Sequence, residues 1–156
     1  MLLDSKNQFS VAQAVTATAI SDVIDLGPLS GLPSANLIRD IGAGEPLHLS
    51  ILITTSVAAS GGASTTVFSL ESDSMANLAT SATVHWSSAS IAKATLVAGY
   101  WVAKGILIPP GAYEQYLGVR YTVSTNDWTT GNVSAWLHKG RFDETQYRGN
   151  WSTGVS

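Results

Sequence analysis

Apolar and polar residues alternate with a period of two along much of this chain, the pattern of strands with one face in a core and one outside it. The longest run lies within residues 107–137. There Leu117, Val119, Tyr121 and Val123 alternate with Tyr116, Gly118, Arg120 and Thr122. Pro109-Pro110-Gly111 ahead of it marks a turn, because proline supplies no N–H to a ladder. Beyond it, Thr125-Asn126-Asp127 and Thr130-Gly131-Asn132 are turn formers that bracket Trp128 and place it in a loop. Val133, Ala135 and Leu137 then alternate with Ser134, Trp136 and His138, which reads as the returning strand of a hairpin. One hairpin is marginal in water, so the rest of the chain must supply sheets that cover its apolar side.

A second strong strand begins at Leu47. Leu47, Leu49, Ile51 and Ile53 face one way, and His48, Ser50, Leu52 and Thr54 the other. Each inward Leu or Ile contributes roughly 1.5–3 kcal/mol when buried. Residues 55–64 read as a low-complexity loop with Gly61-Gly62 at its tip. Residues 65–72 form another strand with Phe68 and Leu70 inward, 73–79 suit a single helical turn, and 83–91 carry a weaker strand with Val84 and Trp86. Two short apolar runs, Tyr100-Trp101-Val102 and Ile106-Leu107-Ile108, flank Lys104-Gly105. Earlier, residues 20–26 are a short strand, 29–37 a loop, and 40–46 a turn. Residues 2–19 mix alternation at Phe9, Val11, Gln13 and Val15 with alanines that also suit a helix; the Thr and Val of the second half favour an extended N-terminal arm. The pattern thus predicts an all-β chain of about eight strands, an antiparallel β-sandwich or jelly roll with extended N- and C-terminal segments. Residues 1–140 are read as one domain including the arm, and 141–156 as a C-terminal tail.

Composition narrows the classes of function. Charged residues make up only 12% of the 156-residue chain, about half the roughly 25% of an average soluble domain. Serine and threonine, 35 together, take their place. A neutral surface of this kind defends poorly against association, so partners are expected to cover it. A net charge of −3 has the wrong sign for a nucleic-acid binder. No run approaches the ~18 apolar residues of a membrane span. Asp4, Lys6, Asn7 and Gln8 interrupt the apolar start, which predicts no signal peptide. There is no cysteine, hence no disulfide and no thiolate chemistry.

Nothing along the chain proposes a reaction. His48, His85 and His138 stand without cysteine or a second histidine at ligand spacing, and read as ordinary surface histidines on outer or mixed strand faces. No G-x-S-x-G elbow organises the many serines into a nucleophile site. Gly42-Ala43-Gly44 leads into Glu45-Pro46 and a strand, not into the helix start that a phosphate cradle needs. The expectation is a non-enzyme with no cofactor, metal or catalytic residue.

Two features remain. Residues 46–70 hold no charge, whereas 139–148 hold five charged residues, and Phe142, Tyr147 and Trp151 interleave there with Arg141 and Arg148. Aromatics and arginine are the residues enriched at interface hot spots. There are also five tryptophans. Trp128 in its loop and Trp136 on the polar side of its strand are candidates for a sugar-stacking platform, the alternative being that they fill a sheet or subunit contact.

Taken in order, several stretches resemble the capsid cement (decoration) proteins of tailed bacteriophages related to the Bbp16 type. They are Leu3-Asp4-Ser5 with residues 12–19 (AQAVTATA), Val23-Ile24-Asp25-Leu26-Gly27, and residues 39–47 (RDIGAGEPL). Ala94-Thr95-Leu96-Val97-Ala98-Gly99-Tyr100, Pro109-Pro110-Gly111 and residues 116–123 (YLGVRYTV) complete the set. The 27–37 loop and the aromatic tail depart from the pattern. The resemblance implies a jelly roll made in the host cytoplasm that sits on the outer capsid surface of the virion as a homo-oligomer. It would clamp neighbouring subunits of the major capsid protein, without nucleic acid or membrane. Many modest contacts made together would give avidity. A dimer suits this slightly better than a trimer. The contacts are assigned to Leu2, Leu3 and Phe9 of the arm, to Trp136, and to Arg141, Phe142, Tyr147, Arg148 and Trp151 of the tail. The alternative is a carbohydrate- or receptor-binding module using Trp128 and Trp136.

Overall fold

Each long alternating segment is a strand, and together they make two antiparallel sheets packed face to face. A computed structural model describes residues 5–27, 39–41, 46–79 and 81–140. After a 3-10 turn at Ser5–Asn7 come β1 (Gln8–Ala14), β2 (Ala19–Ile20), β3 (Ile24–Asp25) and β4 (Arg39–Asp40). Then follow β5 (Leu47–Ala59), β6 (Thr65–Asp73), β7 (Thr83–Ser87) and β8 (Ile91–Ala92). The last are β9 (Trp101–Leu107), β10 (Ala112–Tyr113), β11 (Tyr116–Ser124) and β12 (Trp128–Lys139).

Sheet A runs β1-β12-β5-β9. Sheet B runs β2-β11-β6-β7, with β3 extending β2 along β11 and β8 extending β7 along β6. A small ladder joins β10 to β4. Setting β4 and β10 aside and counting β2 with β3 and β7 with β8 leaves eight positions. First pairs with eighth, second with seventh, third with sixth and fourth with fifth. That is a long ribbon folded at its middle and rolled up, the jelly-roll arrangement.

The inward positions are the ones the alternation marks. Leu49, Ile51, Ile53, Phe68, Leu70, Leu117, Val119, Tyr121 and Val133 are fully buried between the sheets. Phe68 meets Tyr121 edge to face at 5.7 Å. Pairing of β11 with β6 is unbroken from Tyr116↔Asp73 to Ser124↔Thr65.

Several expectations change. β11 and β12 do not form a hairpin. Thr125 takes a positive φ of 77° and the chain crosses from sheet B to sheet A. The β5–β6 connection crosses beside it, and the two arches are tied by Ser64 Oγ donating to Asn126 O at 2.7 Å. Residues 55–59 are not loop, because β5 continues to Ala59 as the partner of β12. The two apolar runs around Lys104-Gly105 form one strand, β9, which a register shift and the positive φ of Gly105 (62°) interrupt without ending. Residues 74–79 form turns, with Leu78 at φ 49°, not a helix. The N-terminal segment is a docked edge strand: Gln8, Ser10, Gln13 and Ala14 register on β12.

Candidate functional site

The two outer faces of the sandwich differ in chemistry. On sheet B, Arg120 Nε donates to Glu71 Oε2 at 2.7 Å, and Ser69 Oγ donates to Glu71 Oε1 at 2.6 Å. The Arg120 guanidinium also holds the carbonyl of Leu78. This fastens the 74–79 segment across the sheet, with Leu78 only 1% exposed. A Cβ on Gly118 would lie 2.9 Å from Leu78 Cδ1 and 3.0 Å from Val23 Cγ1, so glycine is what lets the segment lie flat there. The outer face of sheet B is therefore polar, charged and latched by its own chain.

Sheet A carries Lys104 and Lys139 as the only charged residues of its four strands. Pairing puts Leu107 beside His48, Trp101 beside Leu52, Trp136 beside Ser50 and His138 beside His48, all on the side away from the core. Trp101 and Trp136 meet edge to face at 5.8 Å. His48 and His138 stack at 5.6 Å, 18° from parallel. Leu107 is 55% exposed, whereas Trp136 (9%), His48 (9%), His138 (5%) and Ser50 (0%) are buried on what is nominally the outside of a sheet. The Trp136 indole N–H is buried with no hydrogen-bond acceptor among the described residues.

The histidines are thus built in rather than left at the surface, because cross-strand neighbours cover outward positions of a sheet. Ser50 Oγ accepts the Gly105 N–H at 3.0 Å and lies 2.9 Å from His138 Nε2, while His138 Nδ1 lies 2.9 Å from Gly140 O. An N–H at Nδ1 given to the carbonyl leaves Nε2 to accept from Ser50. On sheet B, Ser72 Oγ accepts the Glu114 N–H at 3.0 Å and lies 2.7 Å from His85 Nε2. The His85 ring stacks on Tyr113 at 3.8 Å. Burial lowers the proton affinity of His85, the nearby Glu114 charge partly opposing it. These Ser–His pairs have the spacing of a nucleophile and its base. Ser50 and Ser72 are nonetheless fully buried and each already accepts a backbone N–H, so neither hydroxyl can meet a substrate.

An open cleft of about 390 Å³ lies where β1 parts from β2, lined by Ser5, Gln8, Ser10, Val11, Gln13 and Asp22. Its polar groups serve the fold. Ser10 Oγ donates to Gln13 Oε1 at 2.5 Å, Gln13 Nε2 donates to Ile20 O at 2.9 Å, and Ser10 Oγ lies 2.7 Å from Tyr121 OH. With its own hydrogen committed to Gln13, Ser10 receives that of the tyrosine. Among the described residues no group of three or more His, Asp or Glu side chains could hold a metal.

The residues singled out from sequence fare unequally. Phe9 is no surface contact: it is fully buried in the core, because β1 docks on β12 and turns that ring inward. Trp128 is not in an exposed loop. It is the first residue of β12, 2% exposed, with its Nε1 donating to Thr66 Oγ1 at 3.1 Å, so it offers no sugar platform. Trp136 lies outward as expected but is packed against Trp101. Leu2, Leu3, Arg141, Phe142, Tyr147, Arg148 and Trp151 lie outside the described residues. The sequence reading missed Leu52, Trp101 and Leu107 as parts of one surface with Trp136. The available signal was their place on the supposedly polar side of their strands.

A search of the curated proteins found no match to the chain. The Bbp16 family model, by contrast, matches residues 9–137, nearly the whole sandwich from β1 to the end of β12. The chain belongs to the Bbp16 family. In this Bbp16-family chain the match begins at Phe9, the first buried ring, and ends at Leu137, the last inward residue of β12. The match therefore spans the sandwich and excludes both terminal segments.

Proposed function

We propose that this protein is a structural component of a tailed-phage virion that binds the outside of the capsid and cements neighbouring major capsid protein subunits. The observation that carries the reading is membership of the Bbp16 family across the jelly roll, joined to the resemblance of its motifs to capsid cement proteins. The asymmetry of the two faces supports it. Sheet A presents an aromatic and apolar surface with two lysines and no carboxylate, and sheet B a polar one closed by its own chain. Aromatic surface with so few charges costs little to desolvate, which suits a contact repeated many times over a shell. In this reading the protein acts as a homo-oligomer, a dimer being the simplest closed form. Leu2, Leu3, Arg141, Phe142, Tyr147, Arg148 and Trp151 contact the capsid, with the sandwich as the rigid spacer between them.

The test is co-sedimentation of purified protein with assembled shells of the major capsid protein and with unrelated shells of similar size. Saturable binding to the cognate shell alone, raising its resistance to heat or chelation, is expected. Absence of binding to mature and immature cognate shells would overturn the reading. Burial of Trp128 removes half of the sugar-binding alternative.

A further inference from the structure

Residues 74–79 lie on the outer face of sheet B without belonging to it. No ladder pairs them, and Ser74, Met75, Ala76, Asn77 and Ala79 are all exposed; only Leu78 is buried. Two side chains of the sandwich hold the segment. At its root the fully buried Asp73 accepts the Ser74 hydroxyl and the Met75 N–H through Oδ1, both at 3.2 Å, and the Ser81 N–H through Oδ2 at 3.3 Å. At its far end Arg120, already paired with Glu71, donates to the carbonyl of Leu78. We propose that residues 74–79 are a lid that opens and closes as a unit while the sandwich stays folded, with Leu78 as its plug and Arg120 as its catch.

The notch that Leu78 fills does not depend on its occupant. Gly118 forms its floor within the unbroken β11–β6 ladder, and Val23 its wall. That wall is fixed from both sides: Ser21 is tied to Val119 by two bonds of 2.9 Å, and Ile24 registers on Leu117. Lifting the lid therefore breaks none of the main-chain pairing beneath it. Closure is also opposed from within, because Leu78 takes a φ of 49°, a left-handed conformation that is costly for any residue with a Cβ. One apolar plug and a few bonds must outweigh that strain, and segments so sparsely anchored open below the free energy of global unfolding. Opening bares the notch, exposes Leu78 and Val23 and frees a guanidinium donor, so sheet B has two surfaces of different chemistry. The inference concerns the protein by itself and stands or falls independently of capsid binding.

Native-state hydrogen exchange on the unmodified full-length protein tests it. The Met75 and Ser81 amides, bonded to Asp73, and the Leu78 amide, bonded to the Met75 carbonyl at 3.0 Å, report the lid. Leu70 and Val119 report the sandwich. The three lid amides are expected to share one opening constant, insensitive to low urea and on the order of a hundredfold or more above that of the sandwich. Arg120→Gln raises it about thirtyfold, the factor equivalent to about 2 kcal/mol. A second readout uses the absence of cysteine: a Leu78→Cys thiol reacts with dithiobis(nitrobenzoate) under native conditions, faster when Arg120→Gln is added, while Ala76→Cys reacts at once in either background. Lid amides that exchange only with the urea dependence of Leu70 and Val119 overturn the proposal. So do three unrelated opening constants, which mean fraying, and a Leu78→Cys thiol inert until the whole chain unfolds.

Discussion

Tyr121 is the buried polar group whose removal gives the most specific test of this fold. Its ring is fully buried on β11, in sheet B, and its hydroxyl reaches Ser10 on β1, in sheet A, at 2.7 Å. Tyr121→Phe deletes that link and little volume. Ser10 is 4% exposed and keeps its bond to Gln13, so no donor is stranded. The cost near pH 8 is then about 1–2 kcal/mol, at the upper end for one net hydrogen bond. That corresponds to a fall in Tm of about 3–6 °C for a chain of this size. Alkaline pH supplies the discriminating arm. Burial holds the Tyr121 phenol well above the ordinary tyrosine range of 10.0; the Ser10 bond opposes this and the Asp22 charge adds to it. Above that ordinary value the unfolded chain loses the proton and the folded chain keeps it. The unfolded state therefore binds fewer protons, and stability falls as pH rises, by about 1.4 kcal/mol per unit. The phenylalanine variant lacks this contribution, so the two stability curves converge above pH 10 and cross near about pH 11. Urea unfolding of both proteins from pH 8 to 11.5 measures the gap directly. A gap unchanged across that range would refute the burial of the phenol and its link between the sheets.

Other expected outcomes follow from single contacts. Gly131→Ala places a Cβ 2.6 Å from Trp128 Cε3 and 3.0 Å from Val57 Cγ2 at a φ of 151°. The indole is displaced, at a cost of about 2–4 kcal/mol from overpacking and backbone strain, seen as a lower Tm and red-shifted tryptophan emission. Arg120→Gln strips the partner from a Glu71 side chain only 7% exposed. With Arg120 itself 26% exposed, the loss is about 2 kcal/mol, below that of a fully buried pair; hydrogen exchange at 74–79 should rise while Ile51 and Ile53 amides stay protected. His85 has its proton affinity lowered by burial, so below its ordinary value of 6.5 the unfolded chain binds the extra proton and stability falls as pH falls. His85→Gln should flatten the stability profile between pH 7 and 5, measured by urea titration.

The strands and their inward residues were legible because alternation is a local property. A side chain two residues along must point to the same side, so Leu49, Ile51, Ile53, Leu117, Val119 and Tyr121 could be placed in a core from their spacing alone. The scarcity of charge was equally plain, and a place on the polar side of its strand singled out Trp136. What alternation does not encode is the partner of each strand. The segment around Thr125-Asn126-Asp127 has the composition of a hairpin turn, but it forms an arch, because β12 gains more from pairing along the thirteen residues of β5 than from returning along β11. That choice carried Trp128 inward to Thr66. The docking of β1 likewise turned Phe9 from a contact candidate into core.

The candidate surface shows the same division. The types of residue on sheet A could be read from the sequence, since outward positions of β5 and β12 are simply those between the buried ones. Their assembly could not. Trp101 from β9 meets Trp136 from β12 across β5, and His48 meets His138 across a ladder joining residues ninety positions apart. Period and composition determined that this chain would be a sandwich with little charge to keep partners away. Only the rolled order of its strands decided which face became polar and latched and which became aromatic, because the faces are assembled from segments remote in sequence.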